Sequence, residues 1–258
     1  MISDYKPILF NTPAEFDEIE IYFAHDIHYG SDIADIKKWE RFKRQILESE
    51  NRYVIWCGDY CDNATAGSKG DIYAAECSPE SQKLWFSQQL YDLRERTIAI
   101  VPGNHESNRI TRAVGLFPAY DAALIANAAD KYRQHFAFVD IAVGNGGHGA
   151  GKQVHYVGFI AHKMRDCKGY HTADFIESVD FVAHGHDHCP KDQARSRLVY
   201  DAKNKAISQR DIEVLDSGSF LSYGGYGADG GYRPQATKIY KLVLNGKQKS
   251  MKTIGFHI

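Results

Sequence analysis

Five short apolar runs in this chain each stop at polar side chains able to bind a metal, and that repetition constrains the fold more than any other feature. The run around 19–25 ends in His25-Asp26-Ile27-His28. Tyr53 to Cys57 ends in Gly58-Asp59-Tyr60-Cys61-Asp62-Asn63, and Thr97 to Val101, after Pro102, in Gly103-Asn104-His105-Glu106. A run at 153–161 ends near His162, and one at 179–183 in His184-Gly185-His186-Asp187-His188. Between the first three runs the spacing turns helical. Ile33, Ile36, Phe42, Ile46 and Leu47 mark a helix near 33–49, and Ser78-Pro79-Glu80 has the cap and first-turn proline of a second. Helical segments are expected around 107–134, then strands at 136–143, 153–161 and 179–183 and several between 195 and 256. Alternating strands and helices predict an α/β fold, in which functional side chains gather at the carboxyl ends of strands. A single such end is ordinarily a capped turn or a surface histidine. Five with one order of residues point to a shared site.

Composition narrows the class. The chain has 258 residues, 31 Lys+Arg against 33 Asp+Glu, and a formal net charge of −2, which argues against a basic nucleic-acid wrapper or an acidic tail. Hydrophobic residues at 43% and charged residues at 25% supply a sizeable core. No repeat or linker divides the sequence, so a single domain over 1–258 is expected. The first ten residues lack a signal-peptide pattern, and no apolar run reaches the roughly 18 residues of a membrane span. Five irregularly spaced cysteines argue against a disulfide framework, and the expected compartment is the cytoplasm. Cys57 and Cys61 lie too far apart for a C-x-x-C pair, so a structural zinc site there has little support.

Imidazole mixed with carboxylate and amide oxygen suits borderline divalent metals such as Mn, Fe, Zn or Ni. The candidate ligands are Asp26, His28, Asp59, Asn104, His162, His186 and His188. Seven exceed the needs of one tetrahedral ion and match two ions sharing a bridging carboxylate. Such pairs lie about 3.5–4 Å apart and clamp the attacking and leaving oxygens of an in-line displacement, which favours a phosphoester.

The order Asp26-x-His28, Gly58-Asp59-x-x-Asp62, Gly103-Asn104-His105-Glu106, His162, Gly185-His186-x-His188 resembles the calcineurin-like metallophosphoesterase signature over about residues 20–190. The resemblance implies a four-layer α/β/β/α sandwich, two mixed sheets face to face with helices outside. It also implies Asp26, His28 and His188 on a first metal, Asn104, His162 and His186 on a second, and Asp59 bridging both. By the same resemblance a metal-bridging hydroxide attacks, His105 protonates the leaving oxygen, and Asp62 orients His105 and raises its pKa.

Local details divide between branches of that family. The blocks around Asp26, Gly58 and Gly103 resemble the protein serine/threonine phosphatases, which carry an arginine after the second aspartate of G-D-x-x-D. Asn63 stands there, and the closing Gly-His-Asp-His block resembles phosphodiesterases and nucleases. The leading expectation is therefore a two-metal phosphodiesterase acting on a nucleotide or nucleic acid, with Mn placed first among the metals and no obligate protein partner. The alternative is a phosphomonoesterase acting on a phosphoprotein or small molecule. A scaffold with a dead site is disfavoured, because no ligand is missing.

Arg109, Arg112 and Arg165 are candidates for the phosphate contact that Asn63 lacks, each balanced against a solvated surface role. His184 is expected to be buried behind the site. Strand alternation would aim His25 away from Asp26, to pack or cap. Three segments remain open: 64–78 as a lid or surface loop, glycine-rich 144–151 with His148 as a hairpin or phosphate cradle, and 217–232 as a stacking platform or sheet-edge cover. Tyr223 and Tyr226 belong to the last.

Overall fold

The computed structural model describes residues 3–66, 68, 72–145, 152–163, 176 and 178–258. Its strands are β1 (Ile8–Asn11), β2 (Glu18–Ala24), β3 (Arg52–Trp56), β4 (Thr97–Ile100), β5 (Ala137–Val143) and β6 (Val154–Ile160). β7 (Phe181–His184), β8 (Lys191–Asp201), β9 (Ala206–Asp216), β10 (Lys238–Asn245) and β11 (Met251–His257) follow. They form two mixed sheets, β1-β5-β6-β7-β9-β8 and β11-β10-β2-β3-β4. In the second, β2, β3 and β4 run parallel and β10 and β11 antiparallel. In the first, β6, β7 and β9 run parallel.

The sheets face each other across one apolar layer. Ile21, Phe23 and Ile55 of one sheet pack in it with Val139, Ile141 and Phe181 of the other. The opposite face of the five-stranded sheet carries the helices α1 (Ile36–Leu47), α2 (Pro79–Asp92) and Pro118–Ile125. Trp39, Phe42 and Ile46 of α1 meet Trp56 of β3 and Phe86 and Leu90 of α2 there. The indole N–H groups are satisfied, with Trp39 donating to Gln89 Oε1 (3.0 Å) and Trp56 to Thr97 Oγ1 (3.0 Å). A third cluster, including Phe159, Val182 and Val214, lies on the outer face of the six-stranded sheet. This is the expected architecture, two mixed sheets flanked by helices.

Both helix starts are capped by side chains. Asp35 accepts from Lys38 N at 3.0 Å, and Ser78 accepts from Ser81 N at 3.2 Å with Pro79 in the first turn. The structure adds one strand to those the sequence suggests. β1 was not anticipated: at four residues it is too short to show alternation, and parallel pairing with β5 creates it. The helical segments expected around 107–134 are a π-helical turn at His105–Thr111, a short turn ended by Gly115 (φ 72°), and the helix Pro118–Ile125. The left-handed backbone of Gly115 stops the helix, and Pro118 begins the next.

Candidate metal centre at the carboxyl ends of two sheets

The loops after β2, β3, β4, β6 and β7 converge at one end of the sandwich. Hydrogen bonds tie the sheets together there, among them His162 Nδ1 with Cys57 O (2.7 Å) and His186 N–H with Asp26 Oδ2 (2.8 Å). The backbone bends sharply to deliver the side chains. Asp26 (φ 49°), His28 (51°), Asp59 (53°), His186 (79°) and His188 (52°) are left-handed, five of the seven candidate ligands. Such conformations cost about 1–2 kcal/mol each for residues with a Cβ and concentrate at functional sites. Gly58 and Gly103 let the chain turn so tightly. A Cβ on Gly103 would stand 2.0 Å from Asp59 Oδ1, and one on Gly58, itself at φ 91°, would stand 2.5 Å from Gly103 N.

Two donor groups emerge. In the first, Asp26, His28 and His188 converge, with Asp26 Oδ1 at 3.2 Å from His188 Nε2 and 3.6 Å from His28 Nε2. In the second, Asp59, His162 and His186 converge, with His162 Nε2 at 3.1 Å from Asp59 Oδ2 and 3.2 Å from Asn104 Oδ1. Asp59 also groups with His28 and His105, so its carboxylate lies between the two sets. All seven candidate ligands are thus brought together. Lys163 Nζ lies 2.7 Å from His186 Nε2.

Close packing of acids and imidazoles perturbs the titratable candidate ligands. Burial opposes the charge on Asp59, but His162 and His105 outweigh it and hold the carboxyl well below its ordinary range. Burial likewise opposes the His162 imidazolium, and Asp59 overcomes it, pushing the ring up to about 10. His28 goes the other way, down to about 4, because burial is reinforced by His105. Burial also lowers His186, with His162 and Lys163 adding to it. For His188, Asp26 outweighs burial and raises the pKa.

His105 and Asp62 form a second unit at the rim. His105 Nδ1 lies 2.7 Å from the Asp62 main-chain oxygen and 3.3 Å from Asp62 Oδ1. The carbonyl can only accept, so Nδ1 carries the proton. His105 Nε2 then faces the cluster, 3.7 Å from Asp59 Oδ2. Burial works against the imidazolium, but Asp59 and Asp62 outweigh it and the pKa rises. Arg109, in the π-helical turn, donates from Nη1 to the same main-chain oxygen (2.7 Å) and approaches Asp62 Oδ1 at 3.2 Å. A π-helical turn at such a position is a common mark of a functional site.

Glu106 is a residue the sequence reading left without a role. Its buried carboxylate accepts four main-chain N–H groups: Asp59 (3.0 Å) and Gly103 (2.8 Å) on Oε2, Tyr60 (3.0 Å) and Cys61 (3.1 Å) on Oε1. It clamps the loop after β3 to the loop after β4. Burial and the Asp59 carboxylate raise its pKa against the pull of those donors. The only signal in the sequence was an acidic residue following His105.

The surroundings correct or limit other expectations. His25 does not point away from Asp26: its Nδ1 lies 2.5 Å from Asp26 Oδ2, because the left-handed turn at Asp26 ends the strand alternation. His184 is buried behind the site as expected, its Nδ1 at 3.1 Å from Ala161 O and its pKa lowered by burial to about 4. Cys57 and Cys61 are free and buried, and neither belongs to a metal-capable group among the described residues. Asn63 is buried with its N–H on Gln82 Oε1 (2.8 Å), and Arg112 is exposed. In 217–232, Phe220 is core, while Tyr223 is exposed and donates its hydroxyl to Tyr232 O. Arg165, His148 and the side chain of Tyr226 lie outside the described residues, as do most of 144–151 and part of 64–78.

The donor set fits cations. Asp26 Oδ1 is a buried carboxylate oxygen without a hydrogen-bond partner, aimed among imidazoles. Imidazole nitrogens, carboxylates and amide oxygen are the donor types of borderline divalent ions. Like-directed Nε2 atoms also crowd together, those of His28 and His188 lying 3.2 Å apart with the Asp26 oxygen beside them.

A family model described as calcineurin-like phosphoesterase matches residues 20–190, the greater part of the chain and the span that holds every candidate ligand. No curated protein matches the sequence. Among solved structures, the crystal structure of a metallophosphoesterase from Sphaerobacter thermophilus is similar, at 11% identity and a TM-score of 0.42, over 93% of this chain and 89% of that one. With its sequence blocks in family order and the family match covering them, the chain belongs to the calcineurin-like phosphoesterases and is a metal-dependent phosphoester hydrolase.

Proposed function

We propose that this chain is a phosphodiesterase for a nucleotide or nucleic acid, working with two divalent transition-metal ions, Mn first among Mn, Fe, Zn and Ni. Asp26, His28 and His188 would hold one ion, Asn104, His162 and His186 the other, and Asp59 both. The observation that carries the two-ion reading is the pair of donor groups flanking the Asp59 carboxylate. When bound, the ions supply positive charge opposite the phosphoryl oxygens and acidify a water. The chain's own residues do the rest. His105 holds a proton on Nε2 for the leaving oxygen, Asp62 engages Nδ1 and so sets the orientation of the ring, and Arg109 fixes Asp62. The left-handed loops hold the donors in place before substrate arrives, so little reorganisation accompanies reaction.

Support for a diester over a monoester comes from position 63. A monoester dianion calls for more cationic contacts than a diester monoanion, and the buried Asn63 offers no charge. The four free cysteines among the described residues accord with a reducing compartment such as the cytoplasm. No helix among the described residues is long and apolar enough to cross a membrane. We read residues 1–258 as one catalytic domain, with no obligate partner.

A phosphomonoesterase is the second reading, favoured by Arg109 and Lys163 beside the cluster. The test compares an aryl phosphodiester with the matching aryl monoester under saturating Mn²⁺. The diester is expected to show the higher kcat/KM, and monoester turnover well above diester turnover would overturn the first reading.

A further inference from the structure

The carboxylate of Asp26 is held asymmetrically. Its Oδ2 lies 2.5 Å from His25 Nδ1 and accepts the His186 main-chain N–H at 2.8 Å. A carboxylate accepts only, so Nδ1 is the protonated nitrogen of His25. Its Oδ1 has no hydrogen-bond partner and faces His188 and His28. Two donors on one oxygen fix the side chain so that the other oxygen is left for a cation. The arrangement is tightly enclosed: His25 and Asp26 are fully buried, and a Cβ on Gly185 would lie 2.9 Å from Asp26 Oδ2 and 3.1 Å from His25 Cγ. His25 Nε2 is buried without a hydrogen-bond partner, so the ring is kept for what Nδ1 does.

We propose that His25 is a positioning residue for the first ion: by donating from Nδ1 to Asp26 Oδ2 it presents Asp26 Oδ1 to the cation shared with His28 and His188. The inference rests on the two-ion reading of the site. His186 contributes to both ion groups, through its ring to the second and through its N–H to Asp26, so Asp26 retains one donor when His25 is replaced. The first ion should therefore weaken rather than vanish. Partners that hydrogen-bond a metal-binding carboxylate are typically worth about 10–100-fold in affinity.

The substitutions that separate donation from packing follow from bond geometry. The amide nitrogen of asparagine is two bonds from Cβ, as Nδ1 is, whereas that of glutamine stands one bond further out. Protein stripped with chelator is titrated with Mn²⁺ under equilibrium dialysis, with metal content measured per chain, for the parent, H25F, H25N and H25Q. The parent is expected to bind about two ions. In H25F one of the two sites should weaken by about 10–100-fold while the other holds. H25N should recover most of the loss and H25Q should not. If H25F does not fold, as judged by thermal unfolding, the contrast between H25N and H25Q decides. A parent that binds two ions with an H25F isotherm unchanged, or an H25N no better than H25Q, overturns the role of His25 alone. A parent that binds fewer than two ions overturns the two-ion reading and this inference with it.

Discussion

At the scale of single residues, His105 and Glu106 stand side by side with opposite tasks. His105 turns Nε2 toward the cluster while Asp62 and Arg109 occupy the other side of its ring. Replacing it by asparagine removes the proposed proton donor and leaves all seven candidate ligands in the chain, although the ring it removes packs against His28. H105N should lower kcat by about 100-fold or more with metal content unchanged, within the range of general acid–base contributions. Unchanged kcat, read beside elemental analysis, would take His105 out of the acid role. Glu106 acts on structure. Its four N–H donors all point at an acceptor, so glutamine is no conservative replacement: its amide NH₂ would face two of them. E106Q should lower stability by about 2–3 kcal/mol or more, the cost of buried donors left unpaired, as a drop in the urea midpoint. A midpoint unchanged from the parent would contradict the clamp.

The candidate ligands were legible in the sequence because their identity is their chemistry. Their company was not. Nothing in the order of residues says that His25 touches Asp26, since strand alternation argues the reverse and only the left-handed φ at Asp26 undoes it. Glu106 was equally hidden, because its partners are main-chain N–H groups that have no residue type.

At the scale of elements, the parallel order β2-β3-β4 puts three strand ends side by side, and Glu20 helps hold that order. Its carboxylate meets Lys241 Nζ of β10 (2.6 Å), Arg52 Nε of β3 (2.9 Å) and the Tyr22 hydroxyl (2.8 Å). Burial works against its charge, but the Lys241 and Tyr22 hydrogen bonds outweigh it and the pKa falls below the ordinary 4.5. A carboxyl with a depressed folded pKa stabilises above its unfolded pKa, and the gain is lost as pH falls through the folded value. E20Q should therefore cost about 1 kcal/mol at pH 7, discounted for partial exposure, and the gap should close as pH falls below the ordinary 4.5 and through the lowered folded value. Urea unfolding of chelator-treated protein measures this, and a gap constant with pH would contradict it. Strands β2 to β4 were readable as apolar runs bounded by polar loops. β1 was not, because pairing with β5 makes it a strand. The sequence shows helical segments near 107–134 but not that the first is π-helical, since no sequence period distinguishes the two over seven residues.

At the scale of the whole molecule, the two sheets contribute different candidate ligands to one place. His162 and the His186–His188 block come from the six-stranded sheet, and Asp26, His28, Asp59 and Asn104 from the five-stranded one. A net charge of −2 does not hinder a phosphate substrate if two divalent ions add positive charge within the cleft. The shared position of Asp59 is the centre of that account. Anomalous diffraction from a crystal soaked in Mn²⁺ tests it most directly. Two peaks about 3.5–4 Å apart, with the Asp59 carboxylate between them, are predicted. A single peak, or peaks that leave Asp59 uncoordinated, would contradict the two-ion site.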